Sequence, residues 1–544
     1  MIVSTPFAQN SPLKVKAGRS VVRARNGMVA SSQPLASEVG LDILKRGGNA
    51  VDAAIAMAAM LNVTEPMMTG IGGDAFALVY WAKTKELRGL NASGRAPKAL
   101  TLDYFAKKQI KSMPQFGMES ITVPGAFDGW TTLLDKYGTM KLADVLAPAI
   151  ETAENGFPVM EKAAQDWSAE VNKLKKNPAA TANYLIDGRA PRAGEIFRQR
   201  NLAQTLRALA KGGRDDFYKG DTARRIVDYF SHNGGFITLE DLAAQKSEWV
   251  EPISTDYRGY TVYEIPPNGQ GITALIALNI LEGFDLASLS AQPERYYHTL
   301  IEATKLAFAD RNRYIADPSF AKVPVRELLS KEYAAKRRTL IDPTKALDSP
   351  PPGDINVGSD TTYLTVVDKD GNAVSFINSL FDAFGSGVVA GDTGIVFQNR
   401  GSGFSLKPDH PNRLEPGKRP FHTIIPAMVF KGDQLFMSFG VMGGAIQPQG
   451  HVQVLTNIID LRMGLQEAID APRFRITNGT KVLLEDELSP AVIERLVAMG
   501  HVRDKPPGVL RSSMGGGQAI MIDPVNKTLM GASDPRKDGM ALGY

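Results

Sequence analysis

Thr361-Thr362-Tyr363-Leu364-Thr365-Val366-Val367 is the stretch whose reading decides the fold. β-Branched and aromatic residues dominate it, Asp370-Gly371 supplies a turn, and Ala373 to Leu380 returns as a second apolar run, so the pattern predicts a β-hairpin. Upstream, Ser349 to Asp360 contains Pro350-Pro351-Pro352-Gly353 and then mostly polar residues, the composition of a loop or linker. A hairpin thus starts where an exposed linker ends. Threonine is common in strands for its branched shape, and Thr361 in isolation would carry no chemistry. At the first position of a strand behind a linker, its hydroxyl can attack the preceding carbonyl and be left at a new chain end. The freed α-amino group, with a reference pKa of about 7.7 to 8.0, then serves as base for the adjacent hydroxyl near neutral pH. Cleavage between Asp360 and Thr361 would supply nucleophile and base in one residue.

Outward from the hairpin, Pro34 to Lys45 carries a helical stripe of Leu35, Val39, Leu41, Ile43 and Leu44 and stops at Gly47-Gly48. Asn49 stands where an N-cap belongs, before the Ala-rich helix from Val51 to Leu61. Gly70-Ile71-Gly72-Gly73-Asp74 leads into Ala75 to Tyr80, a continuous apolar run of buried-strand length. From Leu142 to Phe230 the pattern is mainly helical, with charged faces, which predicts a helical lobe.

Composition narrows the chemistry. The 544 residues are 43% hydrophobic and 22% charged, enough for a large core, and length alone suggests about three domains. A net charge of +4, with no long basic run, does not point to nucleic acid. The absence of cysteine excludes disulfides, thiolate metal sites and a Cys nucleophile. No run approaches the roughly 20 apolar residues of a membrane span, and the first residues do not read as a signal peptide. The expectation is a cytoplasmic protein, or a periplasmic or secreted one if a leader has been removed. There is no His-Glu-x-x-His helix, Walker loop or Gly-x-Ser-x-Gly elbow, and the six histidines lack ligand spacing. Gly269-Gln270-Gly271 after Thr261 to Ile265 is a weak match to a dinucleotide turn, with Pro266-Pro267 intervening and the rest of that unit absent. Neither cofactor nor metal is expected.

With these residues in place, the chain resembles the γ-glutamyltransferases (glutathione hydrolases) of the N-terminal nucleophile hydrolase group, as a divergent member. The likeness runs through Pro34-Leu35-Ala36-Ser37, Gly47-Gly48-Asn49-Ala50-Val51-Asp52-Ala53-Ala54, Glu65-Pro66 and Gly70-Ile71-Gly72-Gly73. It continues through Thr361-Thr362, Val366 to Val374 and Gly443-Gly444, and ends at Ala532-Ser533-Asp534-Pro535-Arg536. The resemblance implies a four-layer αββα sandwich in which residues 1–544 form one intertwined catalytic domain, self-cleaved into a large chain, 1–360, and a small chain, 361–544. It also implies that Thr361 is the nucleophile, that Ser379 orients it, and that the backbone N–H groups of Gly443 and Gly444 bind the oxyanion.

The family holds the α-carboxylate and α-amino group of its substrate with an Arg, an Asn, an acidic residue and two serines. Arg95, in Ser93-Gly94-Arg95-Ala96-Pro97, lies two residues from the arginine position and is the expected carboxylate anchor. The asparagine is Phe381, the acid is Gly403, a nearby glutamine is Arg400, and the serine pair is His422-Thr423. Contacts to a positive amino group are lost and positive charge is gained, so the acyl group is expected to carry a carboxylate and no ammonium, unless Asp382 or Asp392 takes over the ammonium contact. Leu406 to Lys418 is shorter than the lid-bearing stretch of many relatives, which favours water as acceptor. The leading expectation is therefore an autoprocessing threonine hydrolase that transfers γ-glutamyl groups from a small-molecule amide to water or amines. The alternatives are an acylase acting on dicarboxylate monoamides of the oxamate or glutaryl type, and an uncleaved protein that binds a small acid.

Overall fold

The computed structural model describes residues 18–347, 360–504 and 513–544. The linker reading for residues 349–359 lies outside them. Two seven-stranded antiparallel sheets form the centre. One runs in the order Met540–Gly543, Met28–Ser31, Asp360–Val367, Ala373–Phe381, Asp74–Trp81, Glu86–Ala92, Glu248–Val250. The other runs Val22–Ala24, Leu529–Ser533, Gly516–Ile522, Gln434–Met442, Ala427–Lys431, Tyr260–Glu264, Ile253–Tyr257. Each sheet takes strands from both sides of residue 361.

The period of two along each strand sorts side chains into layers. Leu364, Val366, Val374 and Phe376 face outward onto the helices Pro34–Lys45 and Ala50–Thr64, with the helical lobe beyond them. Tyr363, Val367, Ala373 and Ile377 face inward and meet Met428, Met442 and Ile520 of the other sheet. The outer face of that second sheet, with Val262, Val429, Phe439 and Val441, packs under Gly271–Leu281, Pro293–Tyr314 and Ile446–Ile459. This is a four-layer αββα sandwich. Polar pairs pin the dry middle: Thr365 Oγ1 lies 2.7 Å from Ser438 Oγ between the sheets, and Tyr363 Oη lies 2.7 Å from Ser375 Oγ.

The first helix spans Pro34–Lys45, with Gln33 accepting the Ala36 N–H. The second runs Ala50–Thr64, past both ends of the alanine run, and Asn49 and Asp52 form a reciprocal capping box at its start. Asp368, beside the hairpin turn, accepts the Ala50 N–H at 3.0 Å, so the turn of the Thr361 hairpin also holds the helix start. The hairpin strand begins at Asp360, one residue before the expected start. The ladder slips between Asp360 and Thr362, so Thr361 alone faces two residues, Ser379 and Leu380. Such an irregularity re-aims a side chain at the end of a strand. We expect Asn49→Ala to cost about 1 kcal/mol, read as a lower denaturant midpoint at unchanged slope.

Candidate active site

Thr361, Ser379, Phe381, Arg400, His422 and Thr423 meet at one end of the hairpin strands. Thr361 and Ser379 share the inward face, and their hydroxyl oxygens are 3.2 Å apart. Two donors are already directed at Ser379 Oγ, the Phe381 N–H at 2.9 Å and Arg400 Nη2 at 3.1 Å. These withdraw density from the serine oxygen and favour it as a hydrogen-bond donor toward Thr361. Gly70-Ile71-Gly72-Gly73 packs on the same strand end so closely that a Cβ at Gly73 would stand 2.4 Å from Ser379 O. That is a reason for glycine there.

Arg400 is fully buried. Its Nη1 donates to Thr423 Oγ1 at 2.7 Å, and its guanidinium lies 4.1 Å from the Phe381 ring centre, so the two expected pocket residues flank it. Nε is buried and without a partner, and among the described residues no carboxylate pairs with the guanidinium. Burial pulls its pKa down to about 9, against the opposing charges of Asp74 and Asp382.

His422 is also fully buried, 3.1 Å from Asp74 Oδ2 through Nε2. The Ile424 N–H points at its Nδ1 at 3.4 Å, which leaves the proton on Nε2, shared with the carboxylate. Burial and then the nearby Arg400 charge push its pKa down to about 4, so the ring is neutral near pH 7. Asp74 in turn accepts the Gly94 and Gly125 N–H groups.

Gly443 and Gly444 adopt positive φ, 121° and 66°, in the turn between Gln434–Met442 and the helix Ile446–Ile459. Their N–H groups lie at the positive end of that helix. The Gln270 carboxamide donates to Thr423 O at 2.7 Å and to Gly444 O at 3.0 Å, which ties this turn to the Arg400 side of the site. The backbone of residues 268–270 is zipped to His422 in both directions. The glycine run that resembled a dinucleotide turn therefore holds His422 and Thr423.

Arg95 is engaged outside this cluster, with Nη2 on Glu248 at 2.9 Å and Nη1 on Gly417 O at 3.0 Å and 3.7 Å from Asp317. Asp382 accepts from Asn399 at 2.6 Å and Gln115 at 3.1 Å. Asp392 is exposed and pairs with Arg225. Gly403 is buried.

Asp74, Gln270 and Arg311 were not visible as site residues. Arg311, buried and drawn down to about 9 by burial, donates to Gln270 Oε1 at 3.0 Å and holds that carboxamide. The cue available for Asp74 was its place behind a glycine run, which reads equally well as a strand start. Away from this cluster, His298, Glu302 and His501 come within ligand distance of one another. His298 and His501 share a 2.8 Å hydrogen bond, and the Lys305 ammonium sits 2.8 Å from Glu302, so the group already contains a cation. Among the described residues no helix is long and apolar enough to cross a membrane.

An antiparallel αββα sandwich with a threonine hydroxyl at the head of a central strand of one sheet, and a glycine turn at the N-terminus of a helix that follows a strand of the other, defines an enzyme of the N-terminal nucleophile hydrolase class. Residues 36–544 match the gamma-glutamyltranspeptidase family, and the chain belongs to that family. It is 43% identical to a glutathione hydrolase-like proenzyme of Bacillus subtilis, over 96% of this chain and 99% of that protein. It is 38% identical to an oxamate amidohydrolase proenzyme of Klebsiella pneumoniae, over 95% and 98%. A solved cephalosporin acylase from Bacillus halodurans superimposes with a TM-score of 0.92 at 46% identity, covering 100% of this chain and 99% of that one.

A base whose folded pKa is depressed binds fewer protons than in the unfolded chain, so its contribution is present above about pH 6.5 and is lost as pH falls toward 4. For His422 the loss is about 3 kcal/mol. His422→Asn is expected to flatten the decline in thermal midpoint between pH 6.5 and 4 relative to wild type.

Proposed function

We propose that the chain cleaves itself between Asp360 and Thr361 and then hydrolyses amides whose acyl part ends in a carboxylate and lacks an ammonium. Thr361 Oγ1 attacks the amide carbonyl, its proton passing to the freed α-amine. The oxyanion is met by the N–H groups of Gly443 and Gly444, where preorganised donors stabilise developing charge without reorganisation. The amine leaves with the proton, and water attacks the acyl-enzyme in the reverse sense. Chains 1–360 and 361–544 remain together as one catalytic unit. The similarity to two proenzymes supports this reading of the precursor.

The observation that carries the substrate assignment is Arg400: a buried guanidinium, unpaired with any described carboxylate, one hydroxyl away from the nucleophile. An acyl carboxylate would supply its missing counter-charge, and a guanidinium offers it a planar fork. A substrate ammonium would meet the same charge as repulsion. The second reading, a γ-glutamyl acyl group, is favoured by Asp382, a buried acid near Asn399 able to face an ammonium. Arg95 is proposed as an outer anchor that would exchange Glu248 for a longer acyl chain.

Denaturing mass analysis should give two fragments meeting at 360/361 for wild type and a single intact chain for Thr361→Ala; an intact wild-type chain would favour the small-acid binding reading. Turnover should be faster with glutaryl anilide or oxamate than with γ-glutamyl anilide. The reverse order would remove the dicarboxylate assignment. In processed enzyme, Arg400→Gln should lower kcat/KM on the preferred acid by roughly 30-fold or more, since it removes one member of a buried charge pair.

A further inference from the structure

The Gly443-Gly444 turn has no side chains of its own with which to keep its shape, so its geometry is set by what grips its two ends. The helix end is held at Gly444 O, which accepts from Gln447 N at 3.2 Å and from Gln270. The strand end leaves Val441, and there the grip is a side chain. The Val441 N–H points at His451 Nε2 at 3.2 Å, while Nδ1 of the same ring lies 2.7 Å from Glu264 Oε1. Both side chains are fully buried, Glu264 on the strand Tyr260–Glu264 and His451 in the second turn of the helix that follows the glycines.

One imidazole therefore joins three elements: the strand entering the turn, the helix leaving it, and the strand two places across the sheet. An N–H directed at Nε2 requires that nitrogen to be unprotonated, which puts the ring proton on Nδ1, facing the carboxylate. Glu264 thus selects the tautomer that can hold Val441. Gly450 allows the approach, since a Cβ there would come within 2.7 Å of the Val441 side chain. The ring of Phe439, on the same strand, packs at 4.8 Å from the imidazole.

Resting on Thr361 and the glycine turn acting as read above, we infer that Glu264 and His451 are positioning residues for the oxyanion turn: they fix Val441, and through it the direction of the Gly443 and Gly444 N–H groups. Neither touches the substrate. Their effect falls on the tetrahedral state, in which the oxyanion has formed, and leaves ground-state binding unchanged.

The test uses the processed enzyme and whichever amide the wild type turns over fastest, with 4-boronobutanoic acid as a probe that forms a tetrahedral anionic adduct on Thr361 Oγ1. His451→Asn can place its amide N–H toward Glu264 where Nδ1 stood, but is too short to put an atom in the position of Nε2 to accept from Val441. It should therefore lower kcat about 30-fold, short of the full loss of an oxyanion donor, with KM within about twofold of wild type, and should weaken the boronate by the same factor as kcat. Glu264→Gln, which keeps an acceptor for Nδ1–H, should retain kcat within about threefold. A His451→Asn enzyme with unchanged kcat, or with reduced kcat and unchanged boronate affinity, would overturn the inference. If that variant does not fold, the histidine ¹⁵N spectrum of wild type decides: unprotonated Nε2 with protonated Nδ1 supports the assignment, and a protonated Nε2 overturns it. Failure of the underlying reading is separately visible as no turnover by the wild type.

Discussion

A positive charge held in the interior with no paired carboxylate among the described residues constrains everything around Thr361. Burying an ion is costly unless its donors are satisfied and its charge is answered nearby. Arg400 meets the first demand only in part: Ser379 and Thr423 accept from its two Nη groups and Phe381 offers an aromatic face, while its buried Nε–H has no partner among the described residues. It meets the second only at longer range, through Asp74 and Asp382, each already engaged with other donors. The neutral state of His422 follows from its own burial first and from the neighbouring Arg400 charge second. Thr361 therefore sits one hydroxyl away from a guanidinium that no described carboxylate pairs.

That arrangement survives because neutral carboxamides and backbone groups carry the framework. Gln270 spans Thr423 and Gly444 and is itself held by Arg311. Along Ile446–Ile459 each buried glutamine side chain holds a different segment. Gln447 accepts from Ile425, Gln449 grips Ile476, and Gln453 grips Phe474. A helix with polar residues on its buried side is stable only if each finds a partner. Here those partners are largely strand backbone, which makes the helix a jig for the sheet edge above it.

The parts legible in the sequence were those governed by local physics. The hairpin at Thr361, the glycine-terminated first helix and the Asn49 cap are each written within about a dozen consecutive residues. The layered sandwich and the cluster of Ser379, Phe381, Arg400, His422 and Thr423 came from family likeness, since no local pattern connects positions in different strands and loops. Asp74, Gln270 and Arg311 stayed hidden because their roles arise only from contacts made by folding. Asp74 and His422 are 348 positions apart, and Gln270 and Gly444 are 174 apart. The glycine run around Gln270 shows how a correct local reading, a strand followed by a turn and a helix, can suggest the wrong partner for the turn. The strand start was misjudged by one residue because the ladder slip beside Thr361 depends on the opposing strand.

The interleaving of strands from both sides of residue 361 has a mechanical meaning. In the first sheet the Thr361 hairpin lies between Met28–Ser31 and Asp74–Trp81, and in the second Gln434–Met442 and Ala427–Lys431 lie between Gly516–Ile522 and Tyr260–Glu264. A covalent break at 360/361 would end the tether while reaching the ladders only at the Asp360–Phe381 pair, so subunit separation and unfolding would become the same event. Dilution should not part the halves, and neither half, made alone, could close a sheet. Such a nick would change the chemistry of one end while leaving the scaffold almost untouched, and a protein could in this way acquire a free amine at its centre.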